Sequence, residues 1–193
     1  MNILVNSTAV ALWYEIIHEA EKSCAITLNK EIESYLVFLM MRYLTQPEVV
    51  KHIMAHEFLA GMQSSAAQRQ LALQGVGDKC LLFAGLFPNL AEKRLVKISY
   101  FVQLGQSAYN VLARSRHDIY ALLGKQFVTL MDILQSVRQH TYGCPDLLPL
   151  QAYDLWNETG SRRAFSILKQ YTSATPLKSP VTEMNEQLFI KKD

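Results

Sequence analysis

The chain has little of what punctuates β-rich or irregular folds: among 193 residues there are only eight glycines and six prolines. That scarcity argues against collagen-like repeats, low-complexity sequence and a many-turned β-sandwich. Cysteine is equally scarce. Cys24, Cys80 and Cys144 lie far apart, and no Cys-x-x-Cys pair is present. This removes zinc ribbons, thioredoxin-like redox sites and attached c-type haem. Three scattered thiols fit a reduced, cytoplasmic setting, with Cys80 as a small core residue. A long apolar run is also missing. The longest uncharged stretch, 98–113, contains Gln103, Gln106 and Asn110, so no membrane span is expected. The first ten residues carry no Lys or Arg, and Glu15 interrupts the apolar stretch early, so no secretory signal is expected either. Net charge is small but uneven: it is +2 overall, while residues 61–140 hold nine basic and four acidic groups. A nucleic-acid binder concentrates more positive charge than that, so the basic middle reads as a solvated face and nucleic acid is not an expected partner.

What the chain does have is apolar content, 50% of residues, arranged with helical period. Residues 7–24 place Ala9, Trp13, Ile16, Ile17, Ala20 and Cys24 on one stripe, with Glu15, His18, Glu19 and Lys22 opposite. Residues 29–44 bury Ile32, Leu36, Leu39, Met40 and Tyr43. Val37, Phe38 and Met41 make the other side apolar too, which predicts an interior helix. Thr45-Gln-Pro47-Glu48 reads as a capping box opening a helix to about Gln63, and Ser65-Ala-Ala-Gln68 as a second, opening a short helix closed by Gly75. Asp78 then reads as the N-cap of a separate buried helix, 79–87, ended by Pro88. Residues 96–115 set Phe101, Leu104, Gly105, Ala108 and Leu112 on one stripe, and the small pair Gly105 and Ala108 predicts close approach of another helix. Residues 118–139 form one continuous apolar face. Gly143 and Pro145 break the chain, and short helices follow at about 149–157 and 161–172. The expected architecture is all-α: one bundle-like or orthogonal domain over 1–172 with about eight helices. Segments 30–44 and 79–87 should lie innermost, and 173–193 should form a tail, docked or mobile.

Residues able to carry chemistry are sparse. Glu15-Ile-Ile-His18 has the Glu-x-x-His spacing of di-iron bundles, but no other histidine has an acid three residues earlier. Glu48, His52 and His56 form one helical row without the His-Glu-x-x-His arrangement of metalloproteases. Neither predicts a metal site, and no cofactor is expected. Gly75-Val-Gly77-Asp78 lacks the features of a phosphate loop. Glu57, by contrast, falls on the buried stripe of its helix. A buried carboxylate must be paired, hydrogen-bonded or protonated, so its simplest role is a structural partner to an Arg or Tyr of another helix. If a pocket exists, its polar groups are expected to be Glu57, Asp78, Tyr100 and Tyr109, above the 79–87 helix.

The block Val76-Gly-Asp78-Lys-Cys80-Leu-Leu-Phe83-Ala-Gly85-Leu-Phe87-Pro88, with Ser99-Tyr100-Phe101 and Gly105-Gln-Ser107-Ala-Tyr109, resembles a segment of uncharacterised helical proteins of proteobacteria. The resemblance covers residues 75–110, implies a bacterial cytosolic protein, and brings no activity or catalytic residues with it. The functional expectation is therefore a non-catalytic helical binding or scaffold protein, with a protein partner or self-association as a homodimer. The alternative is a small-molecule- or cofactor-binding protein, or an enzyme with a pocket between helices.

Overall fold

A computed structural model of the chain describes residues 2–45, 54–88, 96–114, 118–143, 147–174 and 176–177. Among these residues there are nine α-helices and no strand. The chain divides into two compact units, 1–144 and 145–193, with the division beside the Gly143–Pro145 break. No helix among the described residues is long and apolar enough to cross a membrane.

The first unit opens with a hairpin. Helix α1 (Asn2–Cys24) buries Trp13, Ile17 and Ala20, members of the stripe read from its periodicity. It ends in a left-handed Ala25 whose neighbour Ile26 donates back to the Glu21 carbonyl at 3.0 Å, a six-residue closure that satisfies a terminal carbonyl. Asn29 then caps α2 (Lys30–Thr45), its Oδ1 accepting the Ile32 N–H at 2.8 Å. Helix α2 buries Ile32, Leu36, Val37, Leu39 and Met40, but Phe38 is left 58% exposed. It is therefore a one-sided helix and not the interior one expected.

Helix α3 (Met54–Gln63) packs on α4 (Ala66–Leu86). The Thr45–Glu48 capping box lies outside the described residues. Ser65 does stand at the N-cap of α4, yet its hydroxyl bonds the Gln68 side chain (3.1 Å) and no backbone N–H. The main correction is α4 itself. The expected break at Gly75 and restart at Asp78 are absent, and one helix of 21 residues runs through both. From Val76 to Leu86 every residue except Lys79 is buried. Helix α5 (Ile98–Ala113) lies against it, with Phe83 and Phe101 stacked at 4.9 Å between ring centroids.

The single helix expected over 118–139 is two, α6 (Asp118–Lys125) and α7 (Phe127–Tyr142), separated by Gln126. Helix α7 is buried at every residue from Leu130 to Val137, so it, rather than α2, joins the second half of α4 at the centre. Its polar residues hid this from periodicity. Gln135 donates to the Ala84 carbonyl at 3.0 Å, although its buried Oε1 has no hydrogen-bond partner, and Ser136 pairs with Ser23 at 2.6 Å. Both α1 and α4 pack on α7.

The second unit is a helical pair, α8 (Pro149–Thr159) and α9 (Arg162–Tyr171). Gly160 closes α8 at φ 74°, where a side chain would be strained, and Ser161 caps α9 through the Ala164 N–H at 3.0 Å. Ala152, Leu155, Ala164, Ile167 and Leu168 form its small core, flanked by Trp156 against Phe165. Of the expected tail, Leu177 lies against α8, its carbonyl accepting the Tyr153 hydroxyl at 3.0 Å. Residues 178–193 lie outside the described residues.

Candidate functional site

Asp78 sits mid-helix on α4, 3% exposed, in a position where helix propensity and burial both disfavour it. Its carboxylate is held by donors from two other helices. Oδ1 accepts the Tyr35 hydroxyl at 2.5 Å and the Tyr109 hydroxyl at 2.8 Å. Oδ2 accepts the Arg42 guanidinium at 2.8 Å. Tyr35 and Arg42 are seven residues apart, two turns of α2, and so share one face toward α4. Gln74, one turn before Asp78, donates to the Tyr35 hydroxyl at 3.5 Å. Tyr109 is fully buried on α5 and stacks on Tyr120 of α6 at 6.0 Å. The hub thus ties α2, α4, α5 and α6 together.

Gly77 makes the geometry possible. A Cβ there would overlap the Tyr109 ring, so only glycine lets that ring lie against α4 with its hydroxyl on Asp78. Gly124 does the same on α6, where a Cβ would meet Asn110 Oδ1 at 2.5 Å.

The electrostatics follow from burial. Desolvation pushes the Asp78 carboxyl above its ordinary range, opposed by the two hydroxyls and by Arg42. Desolvation, and then the neighbouring Asp78, push the Tyr35 and Tyr109 hydroxyls far up, so both stay protonated donors. Burial likewise raises the Cys80 thiol, ahead of the repulsion from Glu57, which makes it an inert core group. Chemically, the hub holds one carboxylate whose oxygens are already occupied. Arg42, about half exposed, is the member most open to water. The arrangement locks α2 and α5 to α4 through one carboxylate.

Of the four residues singled out from the sequence, Asp78 and Tyr109 meet directly. The capping role given to Asp78 is wrong, because the helix continues through it. Glu57 is about one-third exposed and pairs with Lys79 of α4 at 2.6 Å, away from the Asp78 carboxylate's own partners. Tyr100 is largely exposed, its ring edge-on to Phe101. Tyr35, Arg42 and Gln74 were missed. The available signal was the tyrosine and arginine two turns apart on a helix otherwise read as apolar. The structural pairing with Arg and Tyr expected of Glu57 belongs in fact to Asp78.

Glu57→Gln is expected to cost about 1 kcal/mol, because the amide still accepts from Lys79 but a partly exposed ion pair is lost. A urea titration checks this, and a loss above about 3 kcal/mol would show that the pair is doing more than tethering α3.

No family model, curated protein or solved structure matches this chain.

Proposed function

We propose that the chain is a non-catalytic helical binding or scaffold protein of the bacterial cytosol. It engages a protein partner through the α3–α4 hairpin, with a second copy of itself as the first occupant. The observation that carries this reading is how little α3 buries. Among its described side chains only Gly61 is buried, while Leu59 is 62% exposed, Met62 is exposed beside it, and Leu71 on the first half of α4 is 73% exposed. A ten-residue helix is marginal on its own and gains stability from packing an apolar face. Here Leu59 and Met62, one turn apart on α3, are open to water, and apolar side chains exposed at a surface favour association. The Asp78 carboxylate supports the non-catalytic part, since each of its oxygens already accepts from a donor fixed within the fold.

Sedimentation velocity across a concentration series tests the proposal. The expected result is a concentration-dependent dimer, weakened about tenfold or more when Leu59 and Leu71 are both replaced by Glu, which sets a charge against an apolar contact. A strict monomer at the highest soluble concentration would remove self-association. A Soret band or flavin absorption in freshly purified protein would instead favour the cofactor-binding alternative.

A further inference from the structure

A second constellation lies where α1 ends and α2 begins. Ligand atoms of His18, Glu21 and Glu33 all lie within 4.8 Å of one another. Glu21 is buried, 5% exposed, and its Oε1 is fixed by the Leu28 N–H at 2.6 Å. Among the described residues its Oε2 is bonded by His18 Nδ1 alone, at 3.3 Å. Among the described residues no lysine or arginine pairs with Glu21 or Glu33. A carboxylate withdrawn from water needs a partner or a metal, and a second carboxylate nearby raises that need.

We propose that His18, Glu21 and Glu33 bind one divalent transition-metal ion of the zinc class, which braces the α1–α2 hairpin. The separation of His18 Nδ1 and Glu21 Oε2 equals the roughly 3.3 Å edge of a tetrahedron built on bonds of about 2.0–2.1 Å. One imidazole nitrogen with two carboxylate oxygens suits zinc and its borderline neighbours, while calcium takes six or more oxygens. Glu33, half-buried in the first turn of α2, supplies the third ligand atom within that 4.8 Å. His18 is largely exposed, so the remaining position opens to water. The sequence pattern pointed from His18 back to Glu15. The fold turns it forward to Glu21 and brings Glu33 from the next helix, so the site departs from the expectation of no metal. It does not depend on the partner-binding reading.

The test uses the full chain, stripped with a chelator and titrated with zinc chloride, followed by calorimetry and by thermal melting. Expected are one equivalent bound and a raised melting midpoint, with H18A and E33Q each weakening binding about tenfold or more. An exposed histidine and a near-isosteric amide leave the fold intact, which apo melting curves verify. A double H52A/H56A variant controls for the other histidine row and should bind as wild type. The proposal fails if zinc does not shift the midpoint. It also fails if H18A and E33Q bind as tightly as wild type, or if binding is lost in the control.

Discussion

Replacing Asp78 by Ala is expected to destabilise the first unit by about 3–5 kcal/mol, the range for removing one partner of a buried charged network. The cost comes from what is left behind. Tyr109, fully buried, loses the acceptor for its hydroxyl, and Tyr35 loses a 2.5 Å bond. Arg42, about half exposed, recovers hydration and contributes less to the loss. Asp78→Asn keeps the shape and one acceptor oxygen, so its cost should be smaller, about 1–3 kcal/mol. Urea titration followed by Trp13 fluorescence in a Trp156→Phe background reads the first unit alone, because Trp13 is its sole tryptophan. If Asp78→Ala costs under about 1 kcal/mol, the hub is not what ties α2 and α5 to α4.

The same pair of proteins has a pH signature. The folded state holds the Asp78 proton to higher pH than the unfolded chain does. The contribution of that proton to stability is full below the ordinary carboxylate pKa of about 4 and is lost as pH rises through the raised folded value. The stability of wild type relative to Asp78→Asn should therefore fall with rising pH across that window, then level off once the ionised carboxylate is held by Arg42 and the two hydroxyls. An advantage that grows with pH would mean the three donors outweigh desolvation.

Local pattern carried the all-α class and most helix positions because those features depend on residues three and four apart. Trp13, Ile17 and Ala20 on α1, and Phe101, Gly105, Ala108 and Leu112 on α5, are buried as their spacing implies. The errors have a common physical cause, which is that the deciding partner is remote. Gly75-Val-Gly77-Asp78 looks like a turn and a cap by every nearby signal. It is helix because Tyr109 needs the space at Gly77, and because Tyr35 and Arg42, 43 and 36 residues earlier, satisfy Asp78. The continuous apolar face read over 118–139 did not single out Asp132, Gln135 and Ser136, yet all three are buried on α7. Glu57 and Tyr100 were plausible pocket groups by burial pattern alone, but α3 and the start of α5 leave them partly open to water. The Asp78–Tyr109 pair was within reach of sequence reasoning as a costly residue and a suitable donor. Its completion by α2 was not, since nothing in a heptad-spaced Tyr and Arg says which helix they face.

The glycines of α4 offer the sharpest contrast in sign within one helix. At Gly75 a Cβ would meet nothing within 4 Å, so Gly75→Ala is expected to stabilise by about 0.5–1 kcal/mol through helix propensity and a less flexible unfolded chain. At Gly85 the same methyl would stand 2.5 Å from Leu134 Cβ, an atom fixed to the backbone of the buried helix α7. Rotamer change cannot relieve that contact, so α4 and α7 must separate, and overpacking of this kind costs about 1–3 kcal/mol or more. The propensity gain of about 1 kcal/mol offsets only part of it. Gly105 on α5 adds a case with a removable obstacle: a Cβ there would overlap the Phe127 ring and reach 2.9 Å from Cys80 Cβ. Phe127→Leu should therefore lessen the cost of Gly105→Ala, giving a coupling of about 0.5 kcal/mol or more between the two positions. At Gly85 no truncation of Leu134 short of glycine could do the same, because the obstacle is its Cβ. Urea midpoints for the four single variants, Phe127→Leu included, and the one double decide the matter. Equal effects at Gly75 and Gly85 would mean that the close packing of α4 on α7 does not set the stability of this core.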